Sequence, residues 1–448
     1  MIKNICCIGA GYVGGPTMSV IALKCPDLNV TIVDSNIEKI KAWNGPLDKL
    51  PVYEPGLSQI VKKVRNKNLF FSEDIKSAIQ NSEMIFIAVN TPTKTKGEGA
   101  GMAADLTYIE LCATDIAKYS NSNKVVVEKS TVPIRTAEKI NEILSKNNKG
   151  LSFEVLSNPE FLAEGTAISD MINPSRVLIG GHKTDSGKKA VKLLVEIYSN
   201  WISREKIITT NIWSSELSKL ASNAMLAQRI SSINSLSALC EKTGADIGEL
   251  STAIGMDSRI GNKFLNASVG FGGSCFKKDI LNLVYLCKHY GLNETAEYWY
   301  QVVKINEYQK NRFADKIIDH FQRDIKEKNI AIFGWAFKSN TNDSRESASI
   351  SVAKKLFNSG ASITIFDPMV SEETIYNDII HFWDLKFPEN NKRIQKLDLS
   401  EYSKNKFDAV AILTEWDEFI EFNFGNKVPV FDGRRILPKN NVKYKLGS

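Results

Sequence analysis

Gly272-Gly273-Ser274-Cys275-Phe276-Lys277-Lys278-Asp279 is the stretch richest in chemistry. Two glycines lead into what reads as a helix, with a cysteine at its first turn. Asp279 follows at i+4 and so shares a helix face with Cys275. The positive end of a helix dipole favours thiolate over thiol, and Lys277 and Lys278 add to that field. This pattern prepares a sulfur nucleophile with a carboxylate beside it. In isolation the same residues also describe a small buried cysteine in a tight turn.

The other end of the chain tips the balance. Gly9-Ala10-Gly11-Tyr12-Val13-Gly14 is a GxGxxG that follows a strand and opens a helix. Its glycines allow the tight turn and the close approach of backbone N–H groups to a pyrophosphate. Asp34 closes the next strand, where it would accept from ribose hydroxyls and repel a 2′-phosphate, which favours NAD over NADP. Lys39 keeps NADP open. Val89-Asn90-Thr91-Pro92-Thr93 and Glu128-Lys129-Ser130-Thr131-Val132-Pro133 each follow a strand and would line the far side of the dinucleotide; each also reads as a plain turn.

NAD beside an activated thiolate implies oxidation at the aldehyde level. Sulfur adds to an aldehyde, hydride loss leaves a thioester, and water releases an acid. That sequence needs an oxyanion stabiliser, a proton carrier and a water positioner. Lys219 and Asn223, an i,i+4 pair, can direct a cation and an amide to one place. Asn158-Pro159-Glu160-Phe161-Leu162-Ala163-Glu164-Gly165 follows a strand and offers two carboxylates.

The elements that must position these groups follow an α/β rhythm. Apolar runs at Ile5–Ile8, Val30–Val33, Met84–Val89, Val125–Val127 and Val155–Leu156 alternate with helical stretches, the pattern of a doubly wound parallel sheet. From about Trp213 to Lys242, Leu217, Leu220, Ala221, Ala224, Leu226 and Ile230 recur at helical spacing. This long helix is a candidate spine and dimer surface. From Lys328 the α/β pattern restarts: Lys328–Gly334 echoes Lys3–Gly9, and Ser362–Asp367 echoes Val30–Asp34. The fold class expected is α/β, two Rossmann-like domains joined by a long central helix. The boundaries are residues 1–212 for NAD binding, 213–325 for the helical and dimerisation region, and 326–448 for the second Rossmann-like domain, to which the resemblance described below gives the UDP-sugar. The second copy has Gly334-Trp335-Ala336-Phe337-Lys338 in place of a glycine-rich loop and should hold a different ligand. The polar segment Glu389–Lys396 reads as a solvated loop.

The bulk numbers agree with this picture. A chain of 448 residues exceeds one ordinary core. Its 43% hydrophobic and 24% charged residues are those of a globular protein. A net charge of +6, with basic residues scattered, argues against nucleic acid and membrane partners and suits an anionic small molecule. Seven cysteines without a CxxC and four scattered histidines give no metal site and point to a reducing, cytoplasmic compartment. The N-terminal run reads as a strand and not as a signal peptide.

Gly9–Gly14, Asn158–Gly165, Lys219–Asn223 and Gly272–Asp279 together closely resemble the UDP-glucose 6-dehydrogenase family, its animal-type branch most of all. The resemblance runs through Leu226–Ile233, Ile260–Asp279, Ser344–Ser347 and Phe431–Arg435. It implies a two-step, NAD-dependent oxidation of UDP-glucose to UDP-glucuronate without release of the aldehyde. Residue by residue, it implies Cys275 as nucleophile, Lys219 as oxyanion stabiliser and Asp279 as the group that helps hold water and tunes Lys219. Glu160 resembles the acid–base residue of thioester hydrolysis, with Thr131 holding a water. Asn223 resembles a contact to the reacting centre. Phe161, Leu162, Ala163, Glu164, Arg259, the Asn266–Gly272 loop including Phe271, Phe337, Lys338 and Arg434 resemble nucleotide-sugar contacts. Arg345 resembles a cofactor contact, and Glu164, Ser130 and Cys275 also fall on the cofactor side. Arg259 resembles a residue that reaches a neighbouring subunit, so a homo-oligomer is implied, a dimer at least and up to a hexamer.

Two departures stand out. Asn266 takes the place of an expected lysine, and the chain stops soon after its last matching block, so regulation through a longer tail is not carried over. A 6-dehydrogenase of GDP-mannose or of a UDP-N-acetylhexosamine remains an alternative, because no spacing argument reads sugar epimers. A non-catalytic NAD-binding protein would have no use for Cys275, Lys219, Asp279 and Glu160 together. A single-step hydroxyacid or polyol dehydrogenase would not need Cys275.

Overall fold

The structure, a computed structural model, describes residues 2–146, 150–386, 388–425 and 427–448. The chain divides into two compact units, Met1–Ser222 and Asn223–Ser448.

The first unit is built on eight strands: β1 (Asn4–Ile8), β2 (Asn29–Val33), β3 (Leu69–Ser72), β4 (Met84–Ile87), β5 (Lys124–Glu128), β6 (Phe153–Ser157), β7 (Val177–Gly181) and β8 (Ile207–Asn211). They lie in the order β3-β2-β1-β4-β5-β6-β7-β8. The strands read as near-continuous apolar runs because both faces of the sheet are covered. On β1, Ile5 and Cys7 enter one core and Cys6 and Ile8 the other; on β4, Met84 and Phe86 oppose Ile85 and Ile87 in the same way. The sheet is parallel from β3 through β6. It then reverses, since β6 meets β7 antiparallel at Ser157 and Gly180, and β7 and β8 run parallel to one another. No sequence signal announced that reversal.

The second unit repeats the plan with β9 (Asn329–Phe333), β10 (Ser362–Phe366), β11 (Ile394–Lys396), β12 (Ala409–Ile412), β13 (Val430–Asp432) and β14 (Tyr444–Lys445), all parallel, in the order β11-β10-β9-β12-β13-β14. Here the solvated-loop reading of Glu389–Lys396 is corrected. Ile394–Lys396 is an edge strand paired with Ile363–Ile365, with Ile394 buried as its anchor. Polar residues flank that isoleucine because the strand is short and at the margin of the sheet.

The internal echo is a structural repeat. Gly9 N–H donates to Val33 at 2.8 Å, and Gly334 N–H donates to Phe366 at 2.8 Å. Both glycines have positive φ, +113° and +99°. Three further helices complete the frame that concerns function: Ile212–Thr243, of 32 residues, Phe276–His289 and Asn293–His320. Among the described residues no helix is long and apolar enough to cross a membrane.

Candidate active site

In the first unit, the turn after β1 is shaped by close approach of its own backbone. A Cβ on Gly14 would lie 1.9 Å from the Gly9 carbonyl oxygen, and one on Gly9 would lie 2.4 Å from the Ala88 carbonyl oxygen. A Cβ on Gly11 would meet nothing, so the backbone there is open to a ligand. The helix Gly14–Lys24 begins at the end of this turn. A pyrophosphate fits such a turn because N–H groups and the positive helix end converge on it. Asp34, at the end of β2, accepts from Ala10 N at 2.9 Å, from Asn36 N at 2.9 Å and from Lys39 Nζ at 3.0 Å. Burial would push its carboxyl up; those three donors outweigh it and hold the group below the usual carboxylate range. The Lys39 charge is therefore engaged by Asp34, and the carboxylate that ends β2 stands where a ribose-binding acid fits NAD.

The two strand-end loops that were expected to line the cofactor are tied together. Ser130 Oγ donates to the Val89 carbonyl at 2.6 Å, and Thr91 Oγ1 donates to the Thr131 carbonyl at 2.6 Å. Asn90, Pro92 and Thr93 ride on the same loop.

Glu160 and Lys219 meet in the interior of this unit, with Lys219 Nζ 3.0 Å from Glu160 Oε1 and side chains 4% and 9% exposed. Glu160 Oε2 also accepts from Leu162 N at 2.7 Å. Burial raises the Glu160 carboxyl, but Lys219, the Leu162 N–H and the Lys129 ammonium together hold it below its ordinary value. Phe161 stands against the Arg176 guanidinium at 3.8 Å and within 5.7 Å of Lys219. Ala163 and Glu164 continue into a turn fixed from outside: buried Glu54 accepts from Gly165 N at 2.9 Å and Ala167 N at 3.2 Å. The sequence offered Glu160 and Lys219 as separate candidates. It gave no sign of Glu54, 111 residues from Gly165, nor of the place of Lys129.

In the second unit, Cys275 is the half-buried N-cap of Phe276–His289, with its carbonyl accepting from Asp279 N at 2.9 Å. Ser274 Oγ lies 3.5 Å from its Sγ. Asp279 is 1% exposed; its Oδ2 accepts from Asn223 Nδ2 at 2.6 Å and its Oδ1 lies 3.1 Å from Lys278 Nζ. Lys277 turns instead to Glu346, at 2.9 Å.

The glycines before Cys275 let another loop approach. A Cβ on Gly272 would sit 2.7 Å from the Glu346 carbonyl oxygen, and one on Gly273, at φ +85°, would sit 3.0 Å from the Phe337 ring. Gly273 N donates to the Arg345 carbonyl at 2.8 Å. Arg434 joins the same group, with Nη2 donating to the Phe337 carbonyl at 3.0 Å and Nε to the Leu413 carbonyl at 2.7 Å. Cys275, Gly272, Phe337, Arg345 and Arg434 are thus gathered in one neighbourhood. Phe271 is buried beneath it, its N–H donating to Asn306 Oδ1 at 2.8 Å. Lys338 follows Phe337, its ammonium 5.6 Å from that ring. Arg259 is 87% exposed and paired with Asp257 in its own turn, and Asn266 is exposed.

The repeat also explains why the second unit lacks a dinucleotide turn. Asp367, the counterpart of Asp34, accepts from Trp335 N at 2.6 Å and Ala336 N at 2.9 Å. The fully buried Trp335 side chain occupies space that a glycine turn would leave open, its indole donating to Asp378 at 2.9 Å. Among the described residues no group of three or more His, Cys, Asp or Glu side chains could hold a metal ion.

Comparison with known proteins agrees with the geometry. Residues 3–202 match the NAD binding domain of the UDP-glucose/GDP-mannose dehydrogenase family, residues 213–308 its central domain and residues 331–439 its UDP binding domain. The chain is 56% identical to UDP-glucose 6-dehydrogenase of Drosophila melanogaster, over 98% of this chain and 94% of that protein. It is 55% identical to UDP-glucose 6-dehydrogenase 4 of Arabidopsis thaliana, over 99% and 95%. Among solved structures, a UDP-glucose dehydrogenase from the archaeon Pyrobaculum islandicum superposes with a TM-score of 0.87 at 28% identity, over 99% of this chain and 97% of that one. Matched through all three domains, and identical at more than half of the aligned positions to relatives spanning almost its full length, this chain belongs to the UDP-glucose/GDP-mannose dehydrogenase family.

Proposed function

We infer that the chain oxidises the primary alcohol of UDP-glucose to the carboxylate of UDP-glucuronate, with NAD as oxidant. The observation that carries this reading is the 55–56% identity, over almost the whole chain, to proteins named UDP-glucose 6-dehydrogenase. NAD, when bound, takes up the hydride in each of two oxidations. Gly9–Gly14 and Asp34 hold it, and the Val89–Thr93 and Ser130–Thr131 loops flank it.

The chain's own residues do the rest. The Cys275 thiolate adds to the aldehyde carbon that the first oxidation leaves, forming a carbon–sulfur bond and a thiohemiacetal. The second hydride loss converts that adduct to a thioester. Water then attacks the thioester carbon, the carbon–sulfur bond breaks, and the acid departs with the thiol regenerated. Lys219 stabilises the oxyanions by charge, and Glu160, held ionised, takes and returns the proton of the attacking water, which Thr131 and Asp279 help to place. Asn223 orients Asp279 through its 2.6 Å hydrogen bond and contacts the reacting centre. Phe161–Glu164, the Asn266–Gly272 loop, Phe337, Lys338 and Arg434 hold the nucleotide sugar, and Arg345 reaches the cofactor. Fixed cations suit a pyrophosphate.

A homo-oligomer, at least a dimer and up to a hexamer, is supported by the exposed apolar residues Trp213, Leu217, Met225, Leu236 and Leu239 of the long helix. Arg259, exposed on its turn, serves the neighbouring subunit. A reducing, cytoplasmic location is supported by seven cysteines with no disulfide among them.

The test is NADH formed per UDP-glucose consumed, with UDP-galactose, UDP-N-acetylglucosamine and GDP-mannose run beside it. Two NADH and UDP-glucuronate are expected from UDP-glucose alone. One NADH per sugar removes the thioester. Turnover confined to another nucleotide sugar keeps the chemistry and moves the substrate.

A further inference from the structure

Lys129 is a buried cation to which the reaction scheme above gives no task. It is 6% exposed, directly after β5 and two residues before Thr131. Its Nζ donates to Asn158 Oδ1 at 3.2 Å. That oxygen already accepts from Tyr198 OH at 2.7 Å, while Asn158 Nδ2 donates to the Leu178 carbonyl at 2.8 Å and Asn158 N to the Glu128 carbonyl at 2.8 Å. Asn158 is therefore satisfied without the lysine. A buried ammonium whose neutral partner already has another donor is unfavourable unless charges answer it. Three titratable groups face it electrostatically: the Glu160 carboxylate, the Lys219 ammonium and the Cys7 thiol of β1. Glu160, in turn, is faced by Lys219 and Lys129. Burial pulls the Lys129 ammonium down to about 8, with Glu160 opposing that fall and Lys219 adding to it.

We propose that Lys129 is a positioning residue for Glu160. Its hydrogen bond to Asn158 holds its ammonium at the Asn158-Pro159-Glu160 turn, where it supplies the second positive charge that keeps the Glu160 carboxylate ionised beside Lys219. One carboxylate set against two ammoniums leaves this buried cluster with an excess positive charge. That excess holds Glu160 as the carboxylate, the form that can take a proton from water, down to lower pH than Lys219 alone would. The proposal deepens the reading of Glu160 as acid–base residue and rests on it.

The experiment is the pH profile of kcat for NADH formation from UDP-glucose in the intact enzyme. Lys129→Gln keeps a donor for Asn158 and removes the charge; Lys129→Arg keeps the charge. Tyr198→Phe removes the other Asn158 donor without touching charge. Lys129→Gln should move the acid limb of the profile up by about one pH unit, the size of effect expected of one nearby opposite charge. Its activity on that limb should fall about tenfold, while NAD affinity measured separately stays within about threefold. Lys129→Arg should return the limb to the parent position, and Tyr198→Phe should leave it there. A uniform loss of kcat with the limb unmoved in Lys129→Gln, or a shift of equal size in Tyr198→Phe, overturns the proposal and makes Lys129 a structural donor. Should Lys129→Gln fail to fold, Lys129→Met carries the same expectations. A parent enzyme that forms no NADH from UDP-glucose overturns the substrate reading instead, a distinct result.

Discussion

Cys275 sits where a helix begins, two residues after a glycine that only a left-handed turn explains. Its position as N-cap sets the residue at the positive end of the helix dipole, a field that favours a thiolate over a thiol. Serine in its place keeps the size but offers a far weaker nucleophile at neutral pH. Cys275→Ser should lower complete two-NADH turnover by about a thousandfold or more, in the range seen when a covalent nucleophile is removed. Product analysis after acid quench should show the aldehyde level or a stalled adduct. Retention of normal two-NADH turnover would sink the thioester route. This residue was legible in the sequence because its cues are local: GGSC, the following helix and an aspartate at i+4 fall within eight residues. Lys129, Glu54 and Tyr198 were not, because their partners lie 29, 111 and 40 residues away and only the strand order brings them together.

At the scale of elements, β5, the helix Thr136–Lys146 and the long helix are joined by a pair of carboxyls. Glu216, near the start of Ile212–Thr243, accepts from Arg135 N at 2.6 Å and Ala137 N at 2.8 Å. Its carboxyl is also hydrogen-bonded to that of Glu128, at the end of β5, and both side chains are 1% exposed. Two carboxyls can share a hydrogen bond only if one is protonated. Burial pushes Glu128 well above its ordinary value and Glu216 up to about 7. The folded state therefore binds more protons than the unfolded chain above pH 4.5, so stability falls as pH rises from there through about 7. Glu128→Gln provides the donor at every pH. Its melting temperature should exceed the parent's at pH 8, by a stability gain on the order of 2 kcal/mol, and the two should converge near pH 5. Parallel melting curves across that range contradict a shared proton. The sequence showed strands and helices here by their apolar periods. It did not show the carboxyl pair, since Glu128 and Glu216 read as solvated ends until burial is known, nor the reversal at β7 or the edge strand Ile394–Lys396, whose pairing is set by neighbours far along the chain.

Across the molecule the same plan is used twice, and the two copies differ where their ligands differ. Asp34 and Asp367 both bind the N–H groups of the turn after the first strand, yet only the first turn keeps open glycine backbone, while Trp335 fills the second. The repeat was visible in sequence as a similar first strand ending in glycine and a second strand ending in aspartate in each copy, and what it could not reveal is how each copy is closed. The second is closed by Glu241, on the long helix. Its carboxylate, 6% exposed, meets Arg312 at 2.7 Å and Lys316 at 3.0 Å, accepts from Tyr444 OH at 2.5 Å and accepts from Gly447 N at 3.0 Å. Burial would raise this carboxyl, but those donors hold it below its ordinary value. Arg312 is 11% exposed, and Leu446, between Tyr444 and Gly447, is fully buried. Removing the carboxylate leaves a nearly buried guanidinium with the neutral acceptor Gln309 and the Ser237 hydroxyl, and frees the residues that follow β14. Breaking a buried pair from one side costs about 3–5 kcal/mol. Glu241→Ala should therefore lower stability by about that much in denaturant melts and raise hydrogen exchange at residues 444–448 first. Glu241→Gln, which keeps acceptor and shape but not charge, should fall between it and the parent, because the Arg312 and Lys316 charges still lose their counterion. A loss within about 0.5 kcal/mol for Glu241→Ala, the range of an ordinary surface change, would mean that the apolar contacts of Leu446 hold this segment without it.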